Sequence, residues 1–314
     1  MTKKTVQQKN NNSFFLNVKK ELYNNRYLYI LMIPVLLYYI LFCYAPMTGI
    51  VIAFKDYQIS EGILGSKWVG LKYFKEFFSG MFFTRTLRNT IMISVYDIVF
   101  GFPLPVIFAL LLNEINNLKY KKIVQTVTYL PHFISMVVIC GMIVDFFSRD
   151  GVITRLLTLF GFENINYMSD ARYFRSIYVG TGIWQGFGWN SIIYIAAISG
   201  IDQQLYEAAE IDGAKKIRKV WHITIPGISD TIILMLILRL GSVLSIGAEK
   251  VILLYNAGTY ETADIISSYV YRTGIGGARY SYSSAVGLFQ SVVNFIILIA
   301  ANGISKKIKG NSLF

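Results

Sequence analysis

An all-α membrane protein, with six transmembrane helices and a polar helix–glycine–helix elbow between the fourth and fifth, is the fold this sequence predicts. Three observations predict it. Apolar residues make up 54% of the 314 and charged residues only 15%, a balance too apolar for an ordinary soluble domain. Apolar runs of span length recur along the chain, and helices satisfy their own backbone groups inside a bilayer. One stretch between two such runs, residues 205–226 (LYEAAEIDGAKKIRKVWHITIP), is polar and breaks once, at Gly213.

Residues 1–26 carry Lys3, Lys4, Lys9, Lys19, Lys20 and Arg26 against the single acid Glu21 and read as a cytoplasmic tail. Phe14, Phe15, Val18 and Leu22 form an apolar stripe that fits either a helix along the inner membrane face or a disordered tail. The first apolar run is too long for the core of a cleavable signal, so it is expected to stay as an anchor. It gives the first span, 27–54, with Pro34 and Pro46 near its ends. The loop 55–85 holds Tyr57, Trp68, Tyr73, Phe74, Phe77 and Phe78, a density that suits the interfacial belt. The second span, 86–112, contains Pro103 and Pro105, which are expected to kink it. After the short basic loop 113–122 comes the third, 123–147, with Pro131.

Residues 148–170 are a polar connection with one apolar stripe, Ile153, Leu156, Leu157 and Phe160, expected as an interfacial helix. The fourth span is 173–200, the fifth 230–248 and the sixth 281–303. A polar, glycine-containing loop, 249–280, joins the last two. An even count places both ends of the chain on one side. Lys and Arg are slightly commoner on that side, which favours the cytoplasm for both termini and the elbow. No repeat and no second soluble domain stand out, so residues 27–314 are treated as one membrane domain behind the 1–26 tail.

Within the elbow, Asp202 is a plausible N-cap for a helix over 203–212, and Gly213 suits the left-handed position that ends it. Downstream, Ala214, Ile217, Val220 and Trp221 fall on one helical face, with Lys215, Lys216, Arg218 and Lys219 on the other. Pro226 reads as a stop signal, and Trp221 is expected to be buried against the chain's own helix ends. Periodicity alone also fits an ordinary amphipathic loop. The residues say more. Glu207-Ala208-Ala209, then Asp212-Gly213-Ala214, then Ile223-x-Ile225-Pro226 resembles the EAA loop of ABC importer permeases, with the three- and nine-residue gaps both matching and Ile225 in place of Leu. Strings elsewhere resemble the LplB-like branch of that family, among them Gly101-Phe102-Pro103-Leu104-Pro105 and Tyr129-Leu130-Pro131-His132-Phe133.

The resemblance implies a type I ABC importer permease fold whose elbow is a cytoplasmic coupling helix docked on a separate ATPase. It implies that Glu207 pairs with a basic residue there, the alternative being a solvated surface acid. It also implies a pathway for an oligosaccharide or polysaccharide fragment, shared with a second permease subunit in a bacterial cell membrane. Two ABC ATPase subunits and an extracellular solute-binding lipoprotein complete the expected assembly. No cofactor is expected in this chain; ATP and Mg belong to the partner ATPases.

The chemistry-bearing residues agree with a transport role. No G-x-x-x-x-G-K-[ST] phosphate loop and no H-E-x-x-H occur. His132 and His222 are far apart in sequence; the first is expected to hydrogen-bond within the bundle and the second to be on the docking surface or solvated. Cys43 and Cys140 lie in apolar runs and read as packing residues. The net charge of +12 is scattered between spans, which argues against nucleic acid. Gly180, Gly182, Gly186 and Gly188 in the fourth span favour close helix packing. Trp184, Gln185, Asn190 and Tyr194 offer aromatic faces and amides suited to sugars, and with Arg239 are the candidate substrate pathway. Asp97, Asp145 and Arg239 are costly inside a membrane, so they are expected to pair inside the bundle or with the second permease, or else to line the pathway. Two other readings remain: an ion-gradient-driven secondary transporter, which leaves the elbow unexplained, and a membrane enzyme of lipid or glycan metabolism, which lacks a metal or acid–base constellation.

Overall fold

The computed structural model describes residues 20, 21 and 23–309. The stripe at Phe14, Phe15, Val18 and Leu22 lies outside the described residues. The long elements are α1 (Arg26–Phe54), α3 (Phe83–Asn113), α7 (Ala171–Ser199), α9 (Lys216–Leu240) and α12 (Tyr280–Lys309). Between them sit a two-stranded ribbon of β1 (Lys55–Asp56) and β2 (Lys67–Trp68), then α2 (Lys72–Ser79), α4 (Leu118–Phe133), α5 (Met136–Phe146) and α6 (Val152–Leu159). The elbow helix α8 (Gln203–Ile211), α10 (Ala248–Leu254) and α11 (Ile266–Tyr271) complete the order.

Proline shapes the long helices. It removes one N–H and crowds the carbonyl four residues back. In three places the helix widens into a π turn just before a proline: Tyr39–Tyr44 before Pro46, Asp97–Gly101 before Pro103, and Val220–Thr224 before Pro226. The N–H groups of Ala45, Phe102 and Ile225 each reach back five residues, to the carbonyls of Ile40, Asp97 and Val220. The wider turn absorbs the mismatch, and the helix continues.

Pro226 therefore does not stop the elbow's second arm. It lies in the first turn of the straight part of α9, and the helix runs unbroken from Lys216 to Leu240. The expected fifth span, 230–248, is corrected on the same ground: it begins 14 residues earlier, as the continuation of the elbow, and ends at Leu240. Gly241 follows, where a side-chain Cβ would come within 2.8 Å of Leu298 on α12.

The expected third span is also not one straight helix. The axes of α4 and α5 differ by 98°. Pro131 sits in a 3-10 turn at the end of α4, Ile134 is extended with ψ 135°, and the Ser135 side chain caps α5 by accepting the Val138 N–H at 3.4 Å. A proline followed by a fresh N-cap ends one helix and starts another.

Among the described residues, α1, α3, α9 and α12 are long and apolar enough to cross a membrane, and the bent pair makes five if it is one span. α7 has the length, at 29 residues, but its glycines and amides make it less apolar; counted with it and with the bent pair as one span, the helices are consistent with the expected six. The stripe at Ile153, Leu156 and Leu157 lies on a helix as expected, α6. None of the most apolar window of α1 is buried against the rest of the chain.

The segment 249–280 is more than a polar loop. It folds back as α10, a single turn at Tyr260–Ala263 and α11, and contributes Val251, Ala263, Ile265 and Ile266, all fully buried. Several of its polar residues are satisfied inside. The buried Asp264 carboxylate accepts from Arg85 at 2.8 Å, Arg272 at 2.8 Å and Ser268 at 3.0 Å. The Asn89 amide donates to the carbonyls of Glu261 and Asp264 at 2.9 and 3.0 Å, and Arg175 donates to the Asn89 side-chain oxygen at 2.8 Å. Hydrogen bonding to Asp264 raises the Arg272 pKa above its ordinary value. A buried carboxylate is tolerable only with such a full set of partners.

Glycine brings α7 against α4. A Cβ at Gly188 would lie 2.3 Å from the Thr128 backbone oxygen, whereas one at Gly180 would meet nothing within 4 Å. Gly188→Ala is therefore expected to destabilise the detergent-solubilised protein by about 1–3 kcal/mol, read as a lower thermal unfolding midpoint. Gly180→Ala, on the same helix, should leave that midpoint unchanged or raise it.

Candidate functional site

The elbow has a defined geometry at each position of its motif. The Asp202 side chain accepts the Gln204 N–H at 2.9 Å and so caps α8. At the other end the N–H of Gly213 bonds to the carbonyl of Glu210 at 3.0 Å, and that of Ala214 to the carbonyl of Ala209 at 2.8 Å. These are the two bonds of a Schellman cap, and Gly213 occupies its left-handed position with φ +72°. The four-residue step from Ala209 to Gly213 is thus the step from the third-last helical residue to the glycine of the cap. α9 begins three residues later.

The two arms are tied together. The Tyr206 hydroxyl meets Thr224 Oγ1 at 2.9 Å, with Thr224 buried, and Lys219 pairs with Glu210 at 3.3 Å. Lys216 pairs with Glu114, just past the end of α3, at 3.6 Å. Beneath the elbow, Ile228 is fully buried with Ala109, Tyr194 and Ile198, which joins α9 to α3 and α7. Gly227 admits this packing, since a Cβ there would come 2.7 Å from Ile201. Of the remaining motif residues, Ile223 is half-buried and Asp212 and Pro226 are exposed.

The elbow's outer surface is apolar and unpartnered within the chain. Leu205, Ile211, Ile217 and Trp221 are 53%, 88%, 74% and 64% exposed. Glu207 and Ala208 are exposed beside them, and Glu207 has no hydrogen bond or ion pair among the described residues. The expectation that Trp221 packs against the chain's own helix ends is corrected. Periodicity rightly puts Trp221 on one face with Ile217, but that face turns away from the chain, with both residues mostly exposed. His222 also stands outside, its Nδ1 3.0 Å from the Arg218 carbonyl.

At the far end of α9, about 36 Å from Lys216 at 1.5 Å per residue, lies a cavity of about 930 Å³ walled by α3, α7, α9 and α10. Gln185, Asn190, Tyr194 and Arg239 line it together, as do Asp97 and Lys250. Arg239 and Asp97 form an ion pair across it. The π turn presents Asp97, and Gly101 leaves the carboxylate room: a Cβ there would approach Asp97 Oδ1 to 3.0 Å. This pairing answers which of the intramembrane charges find each other.

Trp184 does not join this group. It lies on the other face of α7, along a second groove of about 630 Å³ lined by apolar residues such as Phe146 and Ile177. The aromatic that does line the cavity is Trp189, stacked on His132 at 4.6 Å and 4°. The ring of His132 thus stacks and has no hydrogen bond among the described residues. Lys250 was not singled out by its sequence context, a Glu-Lys pair just after an apolar run. Among the described residues no three His, Cys, Asp or Glu side chains come together as a metal site requires.

Comparison with known proteins agrees with this arrangement. Residues 77–310 match the family described as binding-protein-dependent transport system inner membrane component. The chain is 47% identical over 291 residues to Protein LplB of Bacillus subtilis (strain 168), covering 92% of each sequence. It is 44% identical over 288 residues to the polygalacturonan/rhamnogalacturonan transport system permease protein YteP of the same organism, covering 91% of this chain and 90% of that one. A crystal structure of a bacterial ABC transporter involved in the import of the acidic polysaccharide alginate contains a chain that superposes with a TM-score of 0.85 at 39% identity, over 93% of this chain and 99% of that one. A gradient-driven transporter finds no support in these matches. With an EAA-type elbow and a helix-walled cavity joined by one helix, and with this similarity over most of its length, the chain belongs to the family of inner membrane permease components of binding-protein-dependent transport systems.

Proposed function

We propose that this chain forms half of the pathway by which an oligosaccharide or polysaccharide fragment enters a bacterial cell, driven by ATP hydrolysis on separate subunits. The observation that carries the reading is the continuity of α9. One helix is rooted in the elbow at Lys216 and reaches the cavity at Arg239. A push on the elbow is then transmitted to the cavity wall without an intervening loop. Flipping a two-state pathway from 1:99 to 99:1 takes about 5.5 kcal/mol of differential interaction, which a capped and clamped elbow can pass on.

The partners follow from the surfaces. The exposed Leu205, Ile211, Ile217 and Trp221, with Glu207 beside them, suit the groove of an ATPase subunit. ATP and Mg would be bound there and not by this chain. A second permease would supply the other half of the cavity, and a solute-binding lipoprotein the substrate at the outer face. Both termini and the elbow are assigned to the cytoplasm. Gln185, Asn190, Tyr194 and Arg239 are the pathway residues of this chain, and residues 27–314 its transporting domain. By their names, one relative belongs to a polygalacturonan/rhamnogalacturonan transport system and the solved transporter imports alginate, which makes a saccharide of several units the substrate of choice.

The test is ATP-dependent uptake by the reconstituted complex. Gly213→Val is expected to leave the complex assembled but to lower coupled uptake about tenfold. No atom lies within 4 Å of a Cβ at Gly213, so the variant acts through backbone strain alone, about 1–2 kcal/mol at a left-handed residue. Gly213→Asn, which tolerates that conformation, should retain most activity. Full uptake by Gly213→Val, or uptake by this chain without an ATPase, would overturn the reading.

Arg239→Gln is expected to lower uptake about tenfold with the subunits still co-purifying, a partly exposed pair being weaker than a buried one. Normal uptake in that variant would remove Arg239 from the pathway.

A further inference from the structure

We propose that Lys250 is a carboxylate-binding site in the cavity wall, and that it selects acidic saccharides. The inference rests on the import reading above and adds a substrate class to it. Lys250 is 6% exposed, on α10, and lines the same cavity as Arg239. Its ammonium donates to the Tyr178 carbonyl at 2.8 Å and to Thr181 Oγ1 at 3.0 Å, and sits 4.7 Å from the centre of the Tyr178 ring. All three partners are neutral. No carboxylate pairs with it among the described residues.

Asp264, the other buried charge among the described residues, is met by two guanidinium groups, and the half-buried Asp97 is met by Arg239. Since Asp97 and Arg239 cancel, Lys250 leaves the cavity with an unbalanced positive charge. A buried ammonium without an anion is costly, and such groups normally face a pathway or a partner. Its three donors are also not exhausted by two hydrogen bonds.

The wall around it is built to keep the ammonium reachable. Gly182 lines the cavity beside it, and a Cβ there would lie 3.3 Å from Nζ. A substrate carboxylate arriving in the cavity would complete the charge with a short, charge-assisted hydrogen bond. A neutral sugar hydroxyl would accept a hydrogen bond from the ammonium but bring no charge to balance it. The difference makes Lys250 a selector of uronate over neutral units.

The experiment compares uptake of a galacturonate oligomer with that of its fully methyl-esterified counterpart, in proteoliposomes holding the complete importer and one binding protein. The binding protein's own preference is common to every variant and cancels in the comparison. Lys250→Met is expected to raise the KM for the acid oligomer relative to the ester about tenfold, the usual scale for losing a hydrogen bond to a charged group. Lys250→Arg should restore most of the ratio. If Lys250→Met fails to assemble, Gly182→Ala crowds the ammonium without removing it and should shift the ratio in the same direction. Parallel loss of acid and ester uptake, or an unchanged ratio, would overturn the carboxylate site and leave the import reading standing. ATP-independent uptake of both oligomers by the unaltered complex would overturn the import reading itself.

Discussion

The structure depends on one helix staying unbroken through a proline. Pro226 lacks the N–H that an α-helix needs at that position, and in water a helix with this defect commonly ends. Here the five-residue reach of the Ile225 N–H to Val220 widens the turn before it, and the rest of α9 follows in register. Everything mechanical in the chain uses that continuity. The elbow is capped at Gly213, clamped by Tyr206 and Thr224, and seated on Ile228. Were α9 interrupted at Pro226, those features would order a surface with no link to the cavity. The same device recurs before Pro46 and Pro103, and at Pro103 it also delivers Asp97 to the cavity.

Polar groups in a low-dielectric interior are the second constraint. The chain meets it in two ways. At Asp264 the carboxylate is saturated by Arg85, Arg272 and Ser268, and that network fastens the 249–280 segment to α3. Around the cavity the satisfaction is partial: Asp97 with Arg239 on one side, Lys250 with neutral donors and acceptors on the other. Full saturation makes a fastening, whereas a partly satisfied wall leaves groups available to a passing ligand. The fold separates the two by position, the first against the α3–α7 surface and the second at the head of α9.

Much of the elbow was legible in the sequence because its chemistry is local. An aspartate before an apolar repeat is a cap, and a lone glycine after it is a left-handed stop; both are found where expected. What sequence did not disclose depended on register or on distant partners. A π turn leaves no residue signature of its own, so Pro226 read as a terminus; periodicity groups Trp221 with Ile217 on one face but does not say which way that face points. The 98° bend between α4 and α5 comes from Ser135 offering a new cap, a choice that competes with simple continuation of an apolar run. Segment 249–280 reads as a polar loop because its polar residues are common, yet Asn89, Arg85 and Arg175 come from helices more than 70 residues away to bond it. Trp184 and Trp189 differ by five residues, about 140° in phase, and only packing decides which meets the cavity.

The central claim is that α9 moves as one rod. Spin labels at Arg218 and Leu238, both exposed on α9 and outside the docking set, on a background lacking Cys43 and Cys140, measure it in the assembled complex. A helix separates the two positions by about 30 Å. Trapping the partner ATPases with ATP should leave that distance and its width unchanged, while a second pair, Leu238 with Val99 on α3, shifts. A shortened or broadened Arg218–Leu238 distance with a fixed Leu238–Val99 distance would mean that α9 bends at Pro226 and that force from the elbow never reaches the cavity.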